Sequence, residues 1–235
     1  MGEYKFYFLV ILASFLFIHH TLRELNTDKN GNKMSEQPDY EFQNPNSSWK
    51  PTSALNVESL LNLSSDMKAI FKKGNLSDIV LVCENLEIPA HKLILFARSP
   101  VFTRMFTEGT ENRILISDVN QSAAEQLVLF MYTGRINELS YSTASDLYAA
   151  ADKYAILELK AICRQAIISL LTISTATEAL ILADTHNDSE MKMRITSYIF
   201  SNIKEIKETE KWTVFLKEHS KLGTEVLSFI INHLI

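Results

Sequence analysis

The stretch SDIVLVCENLEIPAHKLILFARSPVF, residues 77–102, decides the fold. Its apolar, β-branched run over 78–83 and its alternating residues 86–88 flank two polar residues that are typical of a tight turn, so a β-hairpin is predicted. A short helical pattern over 91–96 follows the hairpin. A second helix begins at Pro100, because proline is favoured in the first turn of a helix. The stretch therefore predicts a fold that combines strands and helices.

The pattern on both sides of this stretch is mainly helical. A third strand is predicted over 113–117, and capping motifs at Ser122 and Thr143 then open helices whose apolar residues recur at helical spacing. Before the hairpin, a helix is predicted to begin at Ser64 and to end at Gly74. We therefore predict an α+β fold that is mostly helical, with a short three-stranded sheet capped by helices.

The composition argues against several classes of function. The 23 basic and 28 acidic residues give a net charge of −5, which disfavours a nucleic-acid binder held by phosphate contacts. The sequence motifs of phosphate loops, serine nucleophile elbows and zinc proteases do not occur, and the two cysteines, Cys83 and Cys163, fall on predicted apolar faces. We therefore predict no enzymatic activity, no catalytic residue, no cofactor and no metal.

One cluster, Asp184, His186 and Asp188, has a spacing that resembles a set of metal ligands. Positions i and i+2 of a helix point about 200° apart, so the three side chains cannot converge while the helix continues. The alternative is a structural interpretation, in which His186 lies near the end of one helix and Asp188 caps the next. We favour the structural interpretation.

The first 56 residues differ from the rest of the chain. Phe6–Ile18 is an apolar run that would span roughly 20 Å as a helix, which is short of the about 30 Å of a bilayer core but suits a signal peptide. A secretory or membrane segment and a divergent N-terminus remain alternatives for residues 1–25. Residues 26–56 are polar, contain three prolines and show no periodicity, so they predict a disordered linker.

Six short motifs after this linker resemble the BTB (POZ) domain in order and spacing. They are Ser77–Leu81, Ile88–Lys92, Ala97–Phe102, Met105-Phe106, Met131–Gly134 and Leu147–Tyr154. Further on, Ile181–His186 and Trp212 resemble the helical region that follows the BTB domain in the speckle-type POZ proteins. The resemblance implies a BTB/POZ domain over 57–172 and a helical, BACK-like region over 173–235.

The resemblance to the speckle-type POZ proteins, members of the MATH-BTB family, also raises the question of a MATH domain. In those proteins this N-terminal domain holds substrates for degradation. Residues 1–56 are too short for such a domain and show no series of alternating strands. We therefore expect the MATH domain, and with it the substrate-reading part of the family's function, to be missing.

The resemblance implies a non-catalytic adaptor that forms a homodimer, or pairs with related BTB proteins, and docks a cullin-3-type scaffold. Such an adaptor brings a ubiquitin ligase to a substrate protein, here of unknown identity, in the nucleus or cytoplasm. A structural salt bridge is the alternative role for the two charged residues of the implied dimer interface, Asp78 and Lys92. The full interface would comprise Leu63, Met67, Ile70, Ile94, Asp78 and Lys92.

The implied contacts with cullin-3 lie in the loop before the third strand, where the family carries a hydrophobic-x-Glu motif. The loop over 107–112 has no apolar residue two positions before Glu111, while Phe106 and Glu108 fit the motif formally. Tyr154 and the helices after it are the other candidate contacts. We therefore expect cullin-3 binding that is measurable but weaker than in the speckle-type proteins.

Two alternatives to the adaptor remain open. The protein could be an oligomerisation partner that titrates MATH-BTB relatives without recruiting a ligase. It could also be a secreted or membrane-anchored protein that reuses the fold, because Phe6–Ile18 is compatible with either location. Direct binding to cullin-3 separates the first alternative from the adaptor, and the mature N-terminus tests the second.

Overall fold

A small sheet near the start of the described chain is followed by a long series of helices. The computed structural model describes residues 53–117 and 119–234. In order, the elements are α1 (Ser53–Lys73), β1 (Ile79–Cys83), β2 (Leu86–Ala90), α2 (Lys92–Arg98), α3 (Pro100–Glu108), β3 (Arg113–Leu115), α4 (Gln121–Thr133), α5 (Tyr141–Lys153), α6 (Leu157–Ser169), α7 (Ala176–Thr185), α8 (Ser189–Ser201), α9 (Ile203–Ile206), α10 (Glu210–Glu218) and α11 (Ser220–Leu234). The predicted α+β class, mostly helical with a short three-stranded sheet, is confirmed.

The sheet has β1 in its centre, in the order β2-β1-β3. β1 and β2 form the predicted antiparallel hairpin, with Cys83 opposite Leu86 next to the turn. β3 runs parallel to β1 on the other side. It ends at Leu115, two residues earlier than predicted, because the chain leaves the sheet once the Ile116 amide has bonded to the Val82 carbonyl at 2.7 Å.

The core joins the sheet to the helices through stacked aromatic rings and buried polar bonds. The Tyr154 ring stacks on Phe102 with centroids 4.9 Å apart. The Ser99 hydroxyl donates to the Tyr154 carbonyl at 2.7 Å and accepts the Phe102 amide, which ties the start of α3 to the end of α5. Cys83 and Cys163 are buried as predicted. Burial raises the pKa of both thiols, that of Cys163 to about 12, so neither is a reactive thiolate at neutral pH.

The first described helix, α1, is longer than predicted. It begins at Ser53 rather than at Ser64 and so takes in residues 53–56, the end of the predicted linker. Ser64 is accommodated inside the helix because its hydroxyl donates to the Thr133 carbonyl at 2.9 Å. The helix ends before Gly74 as predicted, where the chain adopts a φ of +61° that glycine reaches without strain.

Two of the later helices have caps that lie two or three residues before the predicted ones. α4 is capped by Asn120, whose side chain accepts a backbone N–H at 2.8 Å, rather than by Ser122. α5 is capped by Ser140 rather than by Thr143. Both true caps are residue types that favour this position, so residue type alone does not decide which of two nearby residues caps the helix. Asp188 caps α8 as predicted.

A polar network joins α5 and α6 to the helices that follow them. The Asp188 carboxylate accepts the Tyr148 hydroxyl and the Arg164 Nε, both at 2.8 Å. Asp152 lies 2.7 Å from the Nδ1 of His186, which ends α7. The structural interpretation, in which His186 ends one helix and Asp188 caps the next, is therefore confirmed.

The predicted organisation of the chain is only partly visible in the described residues. Residues 1–25, with the apolar segment Phe6–Ile18, and the linker as far as residue 52 lie outside them. The predicted boundary between 57–172 and 173–235 falls in the connection from α6 to α7, and this division stays a prediction. Among the helices of the described residues, none is both long enough and apolar enough to cross a bilayer.

Candidate protein-interaction surfaces

The outer side of α1 exposes a row of apolar side chains. Leu63 and Ile70 are 56% and 43% exposed, and Leu60 is exposed as well. Each Å² of apolar surface left in water costs about 25 cal/mol, so a row of large exposed side chains indicates a binding surface. We call the surface formed by Leu60, Leu63 and Ile70 the α1 face.

The side of α1 adjacent to this face packs on the core. The Phe71 ring lies 5.1 Å from the Tyr132 ring, centroid to centroid, and Met67 is partly buried against the core. The apolar stripe that the sequence shows at helical spacing, Leu63, Met67 and Ile70, therefore contributes both to the core and to the exposed surface. Met67 faces inward, whereas Leu63 and Ile70 face outward.

Two grooves border the α1 face. The smaller, of about 580 Å³, lies between the end of α1 and the start of α2. The larger, of about 670 Å³, lies between α1, α2 and the end of α4. Met67 and Ile94 line both grooves. The structure thereby brings together the four apolar residues predicted for a dimer interface, which are Leu63, Met67, Ile70 and Ile94.

Asp78 and Lys92 make two other bonds in place of the salt bridge that was one of their two alternative roles. The Asp78 carboxylate accepts the backbone N–H of Lys92 at 2.7 Å. The Lys92 ammonium donates to the side-chain oxygen of Asn112, also at 2.7 Å. The carboxylate thus satisfies an N–H at the start of α2 that has no partner within the helix. The sequence shows two opposite charges that the fold can bring together. It does not show that the backbone amide of Lys92 lies nearer to the Asp78 carboxylate than the ammonium does.

A buried tyrosine that the sequence analysis missed supports the smaller groove. The Tyr132 hydroxyl accepts the backbone N–H of His91 at 2.8 Å and lies 2.6 Å from the Nδ1 of the same residue. The His91 Nε2 lies 2.9 Å from the Asn75 carbonyl, which can only accept. All three bonds are satisfied when the Nε2 of His91 donates to the Asn75 carbonyl and its Nδ1 accepts from the Tyr132 hydroxyl. Burial raises the pKa of Tyr132 to about 12, so its hydroxyl keeps the proton that it donates to Nδ1.

A second apolar surface lies where α3 ends and β3 begins. A cavity of about 630 Å³ is lined by the apolar Met105, Phe106 and Leu115 and by the acidic Glu108 and Glu111. Leu115 belongs to an outer strand of the sheet and is 69% exposed. We call the surface formed by these five residues the α3–β3 surface.

Three of the four residues predicted to contact cullin-3 lie on the α3–β3 surface. Glu108 and Glu111 are exposed there. Phe106 is half-buried, because its ring stacks on Phe102 at 5.9 Å. Tyr154 lies beneath the surface and is 1% exposed, so its side chain can assist a partner only by positioning the elements around it.

Three exposed leucines on these surfaces were not predicted. They are Leu76, Leu93 and Leu115. A signal existed for Leu76, because a large apolar residue is unusual in a turn that small and polar residues otherwise form. Leu93 and Leu115 carried no such signal, since they lie in a predicted helix and a predicted strand, where a leucine is ordinary.

The chemistry of both surfaces is that of protein binding. Among the described residues, no group of three histidine, cysteine or acidic side chains is placed to hold a metal ion. The surfaces instead combine exposed leucines with a few charges at the margin. Interfaces between proteins have this composition, with an apolar centre and a polar rim.

Comparison with known proteins identifies the domain to which most of these residues belong. Residues 67–171 match the family model of the BTB/POZ domain. Mouse TD and POZ domain-containing protein 1 is 35% identical over 175 residues, which are 72% of this chain and 48% of the relative. Mouse TD and POZ domain-containing protein 3 is 34% identical over 168 residues, 69% of this chain and 46% of the relative. The chain therefore spans about half the length of the curated relatives that it matches.

Among solved structures, the BTB domain of zebrafish PATZ1 is similar to this chain. It has 25% sequence identity and a TM-score of 0.41, and the match covers 52% of this chain and 98% of the PATZ1 domain. The prediction of a BTB/POZ domain is confirmed by the family match. BTB domains are generally non-enzymatic and mediate association with themselves and with other BTB proteins. The relatives named above are TD and POZ domain-containing proteins rather than speckle-type POZ proteins as such.

Proposed function

We propose that this BTB/POZ protein is a dimeric, non-catalytic adaptor that recruits a cullin-3-type ubiquitin ligase to a bound partner in the nucleus or cytoplasm. The observation that carries the proposal is the α1 face, which leaves large apolar side chains exposed between two grooves. A two-fold dimer buries the same surface of both chains, so the surface has to be complementary to itself. A face that offers both apolar ridges and apolar grooves meets this requirement.

Each predicted interface residue has a distinct place in such a dimer. Leu63 and Ile70 are the outward anchors. Met67 and Ile94 form the walls that the grooves share. Asp78 lines the smaller groove and holds the start of α2 in place through the Lys92 amide.

Recruitment of the ligase would use the α3–β3 surface. Its cavity shares no lining residue with the two grooves beside the α1 face, so a dimer leaves it available for a second partner. Leu115 offers an exposed apolar anchor, and Glu108 and Glu111 add negative charge beside it. This combination suits a partner that presents an apolar pocket bordered by basic residues.

The variant Leu115→Asp tests the ligase step. We expect its affinity for purified cullin-3 to fall about thirtyfold, because a central apolar anchor is lost and a charge is placed against the partner. Calorimetric titration measures the affinity, and sedimentation shows whether the dimer is retained. Met193→Asp is the matched control, since Met193 is an exposed apolar residue of α8. Equal affinity of the Leu115→Asp variant and the control would remove the α3–β3 surface from the proposal.

A second candidate function is a partner that pairs with related BTB proteins and titrates them without recruiting a ligase. It is favoured by the loop over 108–112, which carries no apolar side chain. The same titration separates the two candidates. The adaptor forms a complex with cullin-3, whereas the titrating protein forms mixed dimers with BTB relatives and leaves cullin-3 unbound.

A further inference from the structure

Leu76 has the highest exposed fraction of the large apolar residues in the described chain, at 94%. It lies in the turn between α1 and β1, on the rim of the smaller groove. Its φ is +63°, in the left-handed region that bulky side chains rarely adopt. Residues held in this region concentrate at sites of function, where the strain is retained for a purpose.

The turn itself favours other residues at this position. The amide and the hydroxyl of Ser77 both bond to the Gly74 carbonyl, at 3.3 and 2.6 Å, and close a four-residue turn. Leu76 is the third residue of this turn, where a positive φ favours glycine or asparagine. The local backbone therefore does not favour a leucine at this position. A contact that offsets the strain of the positive φ has to be made by the leucine side chain outside this turn.

The smaller groove beside Leu76 is apolar and has room for a side chain of this size. Ile70, Leu93 and Ile94 line it, and Leu93 is 75% exposed. An apolar cavity of about 150 Å³ already accommodates a benzene-sized group. The volume of about 580 Å³ is well above that size. A protruding apolar side chain and an apolar groove thus lie side by side on one surface.

We propose that Leu76 is a reciprocal anchor of the dimer. Leu76 of each chain inserts into the smaller groove of a second copy, between Ile70 and Leu93. This inference rests on the proposed dimer and adds to it a residue that determines how the two copies meet.

A second copy of the chain fits this groove better than an unrelated partner. The groove continues into the α1 face, because Ile70 belongs to both. Its rim carries Lys73 and Asp78, one charge of each sign. A second copy of the same surface supplies an opposite charge for each of them, whereas a partner of uniform charge would meet one like charge. Two-fold symmetry also lets the protruding leucine of each copy fill the groove of the other.

The variant Leu76→Asn in the full chain tests the inference. We expect the dissociation constant of the dimer to rise about 1000-fold, because each dimer loses two anchors and each anchor is worth about thirtyfold. We expect the melting temperature, measured at a concentration where both proteins are monomeric, to stay equal or to rise, since asparagine suits a positive φ. Weaker association together with an equal or higher melting temperature would show that Leu76 contacts the second copy and does not stabilise its own chain. Sedimentation equilibrium and thermal unfolding give the two readouts.

Two further variants complete the test. Met193→Asn removes an exposed apolar side chain from α8 and is expected to leave the dimer unchanged. Leu76→Gly also suits the turn and is expected to weaken the dimer as Leu76→Asn does.

The possible results lead to different conclusions. A Leu76→Asn chain that dimerises as tightly as the wild type, or as tightly as Met193→Asn, overturns the inference and leaves the dimer standing. A wild-type chain that is monomeric at every concentration overturns both the inference and the proposed dimer. Loss of folding in both Leu76 variants would show that Leu76 supports its own chain, which also overturns the inference.

Discussion

A chain that carries Leu63→Asp together with Ile70→Asp is expected to be a folded monomer. Both side chains project from the α1 face into solvent, so the charges disturb the isolated chain little. Between two copies, the aspartates repel one another and the apolar contact is lost. An anchor at the centre of an interface contributes about 2 kcal/mol, so the loss of two anchors from each chain, four in the dimer, weakens the dimer by at least about 100,000-fold.

Sedimentation velocity over a range of concentrations measures this effect, and far-ultraviolet circular dichroism shows whether the fold is retained. The matched control is Met193→Asp together with Leu115→Asp, two exposed apolar residues outside the α1 face. The control is expected to remain a dimer. A folded Leu63→Asp, Ile70→Asp chain that sediments as a dimer would show that the interface lies elsewhere.

Two of the three residues of the α1 face, Leu63 and Ile70, could be predicted from the sequence, but the directions of their side chains could not. Leu63, Met67 and Ile70 recur at helical spacing, which indicates an apolar stripe without saying what the stripe contacts. The structure divides the stripe because one flank of α1, with Ser64, Met67 and Phe71, rests on α4 and the core, whereas Leu63 and Ile70 stay exposed. Which part of a stripe is covered depends on the neighbouring helix, and that contact links distant parts of the chain.

Elements set by local chemistry were predicted well, and features set by the assembled fold were not. The hairpin of β1 and β2 follows from an alternating pattern around a polar turn, and the cap at Asp188 follows from one residue type at one position. The φ of +63° at Leu76 and the exposure of Leu115 on an outer strand depend on how separate elements meet. The bond from the Lys92 amide to Asp78 likewise needs the start of β1 and the start of α2 in place.

The variant Asp188→Ala is expected to lower the free energy of unfolding by at least about 3 kcal/mol. The carboxylate is 5% exposed and accepts the Met191 amide, the Tyr148 hydroxyl and the Arg164 guanidinium. Alanine removes the helix cap and leaves a buried hydroxyl without its acceptor. The Arg164 guanidinium keeps its other bond, to Glu190, which places the expected loss at the lower end of the range for a broken buried pair.

Two controls separate the charge of Asp188 from its other contributions. Asp188→Asn keeps a side chain that can cap α8, so it is expected to lose only about 1–2 kcal/mol. Asp184→Ala removes a half-exposed partner of Lys192, which retains Glu225, and is expected to cost no more than about 1 kcal/mol. Urea unfolding in the Leu63→Asp, Ile70→Asp background measures each value without a contribution from dimerisation. Equal losses for Asp188→Ala and Asp184→Ala would contradict the assigned role of the buried network.

The loss caused by Asp188→Ala is expected to depend on pH. Burial by itself raises the pKa of Asp188, but the bonds from Met191, Tyr148 and Arg164 outweigh burial and hold the pKa below its ordinary value. A carboxyl group of this kind stabilises the fold at pH values above its unfolded pKa of about 3.9, and it loses that contribution as the pH falls through the folded pKa. The difference between the parent chain and Asp188→Ala should therefore be complete between about pH 5 and 7 and shrink below about pH 4. A difference that stays constant from about pH 7 to about pH 3 would show that the charge of Asp188 contributes nothing and that alanine removes only packing and the cap.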